Sequence, residues 1–297
     1  SLSQNIRDPV ELERVISERR EQLIEFHGLD QPWYYRLPNM IFRILRLDLG
    51  EARTLRSFTG SNNVGDIVLE RLPNTIMLVT SAMFITSIIG LYVGVKIATQ
   101  VGSKLERTIS YFSAISYALP AWWLGILLVI VFAFKFRIFP SSGMFSVPPP
   151  TEPIYRFLDM LWHATLPVFT LVIVSLGSWT YSVRTMVLNI SQEDFVNVAR
   201  AKGVPENIVM RRHIVRAAAP PIVTSLIFGL TGSLGGAILT ETVFGWPGMG
   251  RLYYEAVLAA DESVIVALTF MFTLLYVIAR FILEILYIVL DPRVRYD

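Results

Sequence analysis

Four stretches of this chain, Thr75 to Val95, Thr108 to Phe134, Ala164 to Val183 and Ala217 to Thr240, contain no Asp, Glu, Lys or Arg. A helix crossing ~30 Å of hydrocarbon at 1.5 Å per residue needs about 20 mostly apolar residues, and each run is long enough. A fifth, about Val264 to Leu290, is interrupted by Arg280 and Glu284. One such run fits a buried helix in a large soluble core; five in 297 residues point to the bilayer. Composition agrees: 53% of residues are hydrophobic and 17% charged, where soluble domains have roughly 45–50% and ~25%. The expected fold is an all-α integral membrane protein with five transmembrane helices in this sequence.

Several function classes are excluded early. A net charge of +2 offers no strongly basic face for nucleic acid. Cysteine is absent, which removes disulfides, thiolate metal sites and cysteine nucleophiles. His27, His163 and His213 are far apart in sequence and make no metal cage. No H-E-x-x-H or G-x-S-x-G is present, so neither an intramembrane protease nor a lipid hydrolase has a visible nucleophile or base. Catalytic residues and metal ligands are both expected to be none.

Lys/Arg excess marks cytoplasmic loops. Lys96, Lys104 and Arg107 follow the first run, Arg184, Arg200, Lys202, Arg211, Arg212 and Arg216 follow the third, and Arg293 and Arg295 lie in the tail. The segment after the fourth run carries Glu241, Glu255, Asp261 and Glu262 against Arg251 and is expected outside. The C-terminus is then cytoplasmic. Five spans would leave the N-terminus outside, although nothing in Ser1 to Arg71 can carry it across. A sixth, preceding span missing from this sequence is therefore expected.

The sequence divides into an external helical cap region over residues 1–72, a membrane domain over 73–290 with a cytoplasmic loop at 184–216, and a tail at 291–297. The cap region opens with Asp8 as N-cap, Pro9 in the first turn, Glu11 completing a capping box and Gly28 as the stop. Leu12, Val15, Ile16, Leu23 and Phe26 give that helix an apolar side, and a second helix is expected between Asp30 and Gly50. The stretch "SSGMFSVPPPTEP" reads as a loop.

The segment "EDFVNVARAKGVPENIVMRRHIVR" is charged and broken by Gly203 and Pro205, yet lies between two apolar runs. Helical spacing from Glu193 to Lys202 places Phe195, Val198 and Ala199 on one side. Arg200 and Lys202 lie near the C-terminal end, where cations complement the helix dipole. Gly203 is a natural stop because it enters the left-handed region without a Cβ clash. Pro205 and Glu206 suit the start of a second short helix. Residue pattern alone leaves two readings open, a docking knob and a plain connector.

The same segment resembles the cytoplasmic loop of ABC importer permeases, in the variant of the dipeptide, oligopeptide and nickel permease family, T-A-R-A-K-G followed by R-H-x-x-R-N-A-x-x-P. Ala199, Arg200, Ala201, Lys202 and Gly203 fit the first half; Arg212, His213, Arg216 and Pro220 fit the second. Val198 replaces the usual Thr or Ala, and Ala217 replaces Asn. "ETVFGWPGMGRLYYEAV", "LDPRVR", "HGLDQPWYYRL" and "LDLG" resemble other parts of that family.

The resemblance implies a permease subunit of a binding-protein-dependent importer for short peptides or oligosaccharides. It also implies a coupling helix that docks on an ATP-binding subunit through Phe195, Val198, Ala199, Arg200, Ala201, Lys202, Gly203, Val204, Pro205, Arg212, His213 and Arg216. The implied partners are a second permease, two ATP-binding subunits and an extracytoplasmic binding protein received near Glu241, Phe244, Trp246 and Pro247. No cofactor is expected on this chain itself, with ATP and Mg held by the partner subunits. The chain has no Gly-Lys pair, hence no phosphate-cradling G-x-x-x-x-G-K-[ST] loop, and is expected not to be an enzyme.

Gly90 and Gly94 form G-x-x-x-G in the first run, where packing is the simpler expectation. Thr231, Ser233, Gly236 and Thr240 in the fourth are candidates for lining a passage. Arg280 and Glu284, spaced i, i+4, are expected to neutralise one another. The alternative from another class is a self-sufficient channel or secondary transporter. An internal repeat of the spans would favour it, and none is visible.

Overall fold

The computed structural model describes residues 51–233 and 238–290, with isolated positions between 14 and 50. Arg14, Val15 and Ser17 are helical; the rest of the expected Asp8–Gly28 helix, together with Gly236 and the tail, lies outside the described residues. By internal contacts the chain divides after Gly50, earlier than the boundary at residue 72 expected from composition.

Helix α1, Val64–Ala98, starts eleven residues before the charge-free run because Asn63 caps it. The Asn63 side chain accepts from the Gly65 and Asp66 amides, satisfying donors that a helix start leaves orphaned. Pro73 lies in the third turn without ending it. Ahead of α1, residues 51–63 fold back on themselves, with Ala52 N–H donating to the Asn62 carbonyl and a single bridge between Glu51 and Asn63. Among the described residues there is no other β pairing.

The second apolar run is not one straight helix. It breaks into α2, Lys104–Ala118, and α3, Ala121–Leu128, which continues as a π-helical stretch, Val129–Lys135, and the two halves are bent by 98°. Pro120 explains the break, since its ring cannot continue a helix and it pushes Leu119 into extended geometry (φ −83°, ψ 123°). The uninterrupted span expected over Thr108–Phe134 is thereby corrected to a broken span or re-entrant pair.

Helix α4, Pro153–Ser191, runs well beyond the expected Ala164–Val183 at both ends, so the expected loop ends where Pro153 takes the first helical position. His163 is buried there, its Nδ1 3.1 Å from the Gly143 carbonyl and its Nε2 3.4 Å from Ser146 Oγ, which fastens the preceding loop to α4. Two short elements follow, α5, Asp194–Ala201, and α6, Glu206–Ile208. A π-helical stretch, Val209–Val215, then leads directly into α7, Arg216–Ser233. The second half of the charged segment is thus the lead-in to the fourth run, not a separate short helix. Finally come α8, Ile238–Val243, α9, Met249–Leu258, and α10, Glu262–Leu290.

Among the described residues α1, α4 and α10 are each long and apolar enough to cross a membrane, and the bent α2–α3 pair is a fourth candidate. α1 and α4 pack closely. A Cβ at Gly90 would clash with Trp179, and one at Gly94 would sit 2.8 Å from the Thr180 carbonyl and from Val183. The expected packing role of this G-x-x-x-G is what the geometry shows.

Candidate functional site

Two turns, one on either side of α7, hold the residues singled out in the sequence. The first joins α5 to α6. Val204 N–H donates to the Ala199 carbonyl (3.3 Å) and Gly203 N–H to the Arg200 carbonyl (2.9 Å), the paired bonds of a Schellman motif. Gly203 has φ +75°, and nothing lies within 4 Å of the place a Cβ would occupy. Glycine is required there by backbone conformation alone.

α5 has two unlike sides. Val196 and Ala199 are buried against Val183, Val187, Val209, Ile214 and Ala218, and Val204 packs on the same cluster. Phe195 and Val198 are 45% and 51% exposed. The spacing analysis put Ala199 with Phe195 and Val198; the structure instead gives Ala199 to the subunit's own core and adds Val196, which the spacing analysis missed. Ala201, Lys202, Gly203, Pro205, Arg212 and Arg216 are exposed, and His213 is half-buried.

Arg200 is held in place by Glu206, with Nε and Nη2 donating to its two carboxylate oxygens at 3.2 and 2.9 Å. Those hydrogen bonds hold the Glu206 carboxyl below its ordinary range and raise the already high Arg200 value. The pair spans the glycine turn on the exposed surface. A second ion pair, Arg184 to Glu106 at 2.6 Å, ties the end of α4 to α2 and is mostly buried.

The second turn follows α8. Glu241 is fully buried, its Oε1 accepting from Thr75 Oγ1 at 2.8 Å and its Oε2 from the Arg251 amide at 3.0 Å. Thr75 Oγ1 in turn accepts from the Met249 amide (2.7 Å). The Trp246 indole donates to the Asn74 carbonyl (3.1 Å) and Asn74 Nδ2 to the Pro247 carbonyl (2.8 Å). A Cβ on Gly248 would run into Glu241 and Thr75. The turn is a closed corner locked on α1.

Beside it, a cavity of about 380 Å³ is lined in part by Ser142, Thr242, Arg251, Tyr254 and Glu255. Below the corner, Asp261 binds the strap before α1. Burial alone would raise its carboxyl, but backbone amides at Thr54, Leu55, Arg53 and Val264 outweigh that and hold it below the usual range.

Residues 86–296 match the family described as the binding-protein-dependent transport system inner membrane component. The chain belongs to this family. Within it, the oligopeptide transport system permease protein AppB of Bacillus subtilis (strain 168) is 32% identical, covering 93% of this chain and 85% of the relative. The di/tripeptide transport system permease protein DppB of Pseudomonas aeruginosa (strain UCBPP-PA14) is 30% identical, covering 98% and 90%. In fold, a chain of the MetNI methionine ABC transporter, solved in inward facing conformations, matches with a TM-score of 0.59 at 17% identity, covering 76% of this chain and 96% of that one.

The protein is therefore a membrane permease subunit of a binding-protein-dependent ABC importer, of the peptide-permease type, and the self-sufficient channel is set aside. The residues expected at the external face all lie at this corner. Glu241, Phe244 and Trp246 are buried and build the corner from within, and Pro247 is half-buried. Thr240 is also buried within the subunit. Thr231 and Ser233 fall in the last turn of α7; their side chains, and Gly236 altogether, lie outside the described residues. Arg280 Nε is 3.9 Å from Glu284 Oε1, a loose pair exposed on α10.

Proposed function

We propose that this permease forms one half of a translocation passage for short peptides, driven by ATP hydrolysis in partner subunits that dock on the Phe195–Arg216 turn. The observation that carries this reading is the division of α5: one side is anchored in the core through Val196 and Ala199, and the other leaves Phe195 and Val198 uncovered. An exposed apolar pair on a segment that also exposes Arg200, Lys202, Arg211 and Arg212 suits insertion into a groove on a soluble partner. Because α5 packs through Val196 and Ala199 in one cluster with Val183 and Val187 of α4 and Ala218 of α7, a push on it tilts α4 and α7 together. ATP-driven closure would move the passage by such rigid-body tilting.

The Lys/Arg distribution supports a cytoplasmic turn and C-terminus, with the Glu241 corner on the opposite face, where a binding protein would deliver substrate. A second, similar permease would complete the passage, and ATP and Mg would reside in the partner subunits. Peptides are favoured over oligosaccharides because the similar permeases named above are peptide transporters. The test is uptake of trialanine by proteoliposomes holding the assembled complex. Uptake should require both internal ATP and the binding protein. Uptake that proceeds without ATP overturns the reading.

A further inference from the structure

Between the middle portions of α1, α4 and α7 lies a cavity of about 360 Å³, within the ~300–1,000 Å³ range of ligand pockets. Its wall carries hydroxyls from all three helices: Thr86 and Ser87 from α1, Ser175, Ser178 and Ser182 from α4, and Ser225 from α7. No charged side chain lines it. Ser175, Ser178 and Ser182 follow i, i+3, i+7 spacing, which places them on one face of the helix.

Three of these six hydroxyls donate within their own helices. Ser87 donates to the Met83 carbonyl (2.6 Å), Ser178 to that of Ser175 (3.0 Å) and Ser182 to that of Ser178 (2.9 Å). Their oxygens keep lone pairs free to accept from a guest. Thr86 differs: it is 5% exposed and its hydroxyl has no partner. That oxygen is closed to solvent as it stands, and a turn of the side chain toward a guest would give it the partner it lacks.

Close packing does not explain the cluster. Where α1 and α4 need to touch, Gly90 and Gly94 bring them together until a Cβ no longer fits. One turn away the same helices part and leave a mainly apolar space with hydroxyls set into its wall.

We infer that this cavity is a station for the backbone of a peptide in transit. Amide N–H groups of the peptide would donate to the serine oxygens, and the Thr86 hydroxyl would donate to a peptide carbonyl. A neutral lining that binds backbone groups is indifferent to the charge of the peptide's side chains. This deepens the peptide reading above and rests on it.

The chain has no cysteine, so Ser178→Cys introduces a single thiol into it. The assembled complex carrying Ser178→Cys is treated in proteoliposomes with a charged, water-soluble methanethiosulfonate, and trialanine uptake is measured. The expected result is labelling that stops uptake and is slowed when binding protein and trialanine are present. Thr86→Val, of nearly the same shape, is expected to raise the KM for trialanine about fivefold, the scale of one lost hydrogen bond, with Thr86→Ser restoring it.

A thiol that stays unlabelled, or labelling that leaves uptake intact, overturns the inference, as does a Thr86→Val variant with unchanged KM. In those cases peptide transport itself still stands. A wild-type complex that moves no trialanine overturns the peptide reading and this inference together.

Discussion

The two turns that flank α7 look alike in sequence and are opposite in structure. Each has glycine and proline between apolar runs and each carries acid and base. At the α5–α6 turn the glycine is surrounded by open space and two apolar side chains face outward. At the α8–α9 corner the glycines have no room, and the acid and the aromatic residues are sealed inside. A turn that leaves its apolar side chains uncovered offers a surface to a partner. One that buries its charge holds the subunit together, because a buried carboxylate is tolerable only with its acceptors satisfied.

That contrast is easiest to break at Gly248. Gly248→Val forces a branched side chain onto Glu241 and Thr75, and the expected loss is more than ~4 kcal/mol, enough to remove the folded subunit from detergent extracts. Recovery of a normally stable protein would show that the corner is not the lock described here. Next in size is Val196→Asp, which buries an unpaired carboxylate under the first turn and should lower the unfolding temperature of the purified complex by several degrees. Its neighbour two residues on, Val198→Asp, should leave the unfolding temperature of the isolated permease subunit unchanged, since Val198 faces outward.

Gly203→Val is smaller in stability and larger in function. Holding a β-branched residue at φ +75° costs about 1–2 kcal/mol, so the spans should fold while binding-protein-stimulated ATP turnover is lost. Unchanged stimulation would detach the glycine turn from coupling. The smallest effect is expected at Glu206. Its carboxyl is held below the ordinary 4.5, so the bonds to Arg200 persist from neutral pH down through that value and weaken only as pH falls further. Glu206→Gln should change turnover at pH 7 by less than about twofold, as for other exposed pairs. A drop in turnover between pH 7 and 6 that disappears in Glu206→Gln would contradict this.

The apolar runs, the glycine turn and the family were legible in the sequence because each depends on local rules: charge-free length, left-handed backbone and motif spacing. Where the reading departed from the structure, the cause was tertiary. Pro120 sits in a charge-free run, and hydropathy does not register that it bends the span by 98°. Glu241 is an acid beside a span, and nothing next to it in the sequence shows that Thr75 and the Arg251 amide enclose it. Ala199 and Val198 are adjacent in a helical pattern, and only the packing of Val183 and Ile214 decides which one turns inward. The serine row at 175, 178 and 182 has a helical period visible in the sequence, but its partners on α1 and α7 come together only in the fold.

The most direct test of the central claim is native mass spectrometry of the complex extracted gently from membranes, comparing wild type with the double variant Phe195→Glu, Val198→Asp. The account predicts that wild type carries a second permease and two ATP-binding subunits. The double variant should keep the second permease and lose the ATP-binding subunit docked on this chain. Retention of every subunit by the double variant would contradict the docking role of the turn, and a wild-type assembly without any nucleotide-binding partner would contradict the account as a whole.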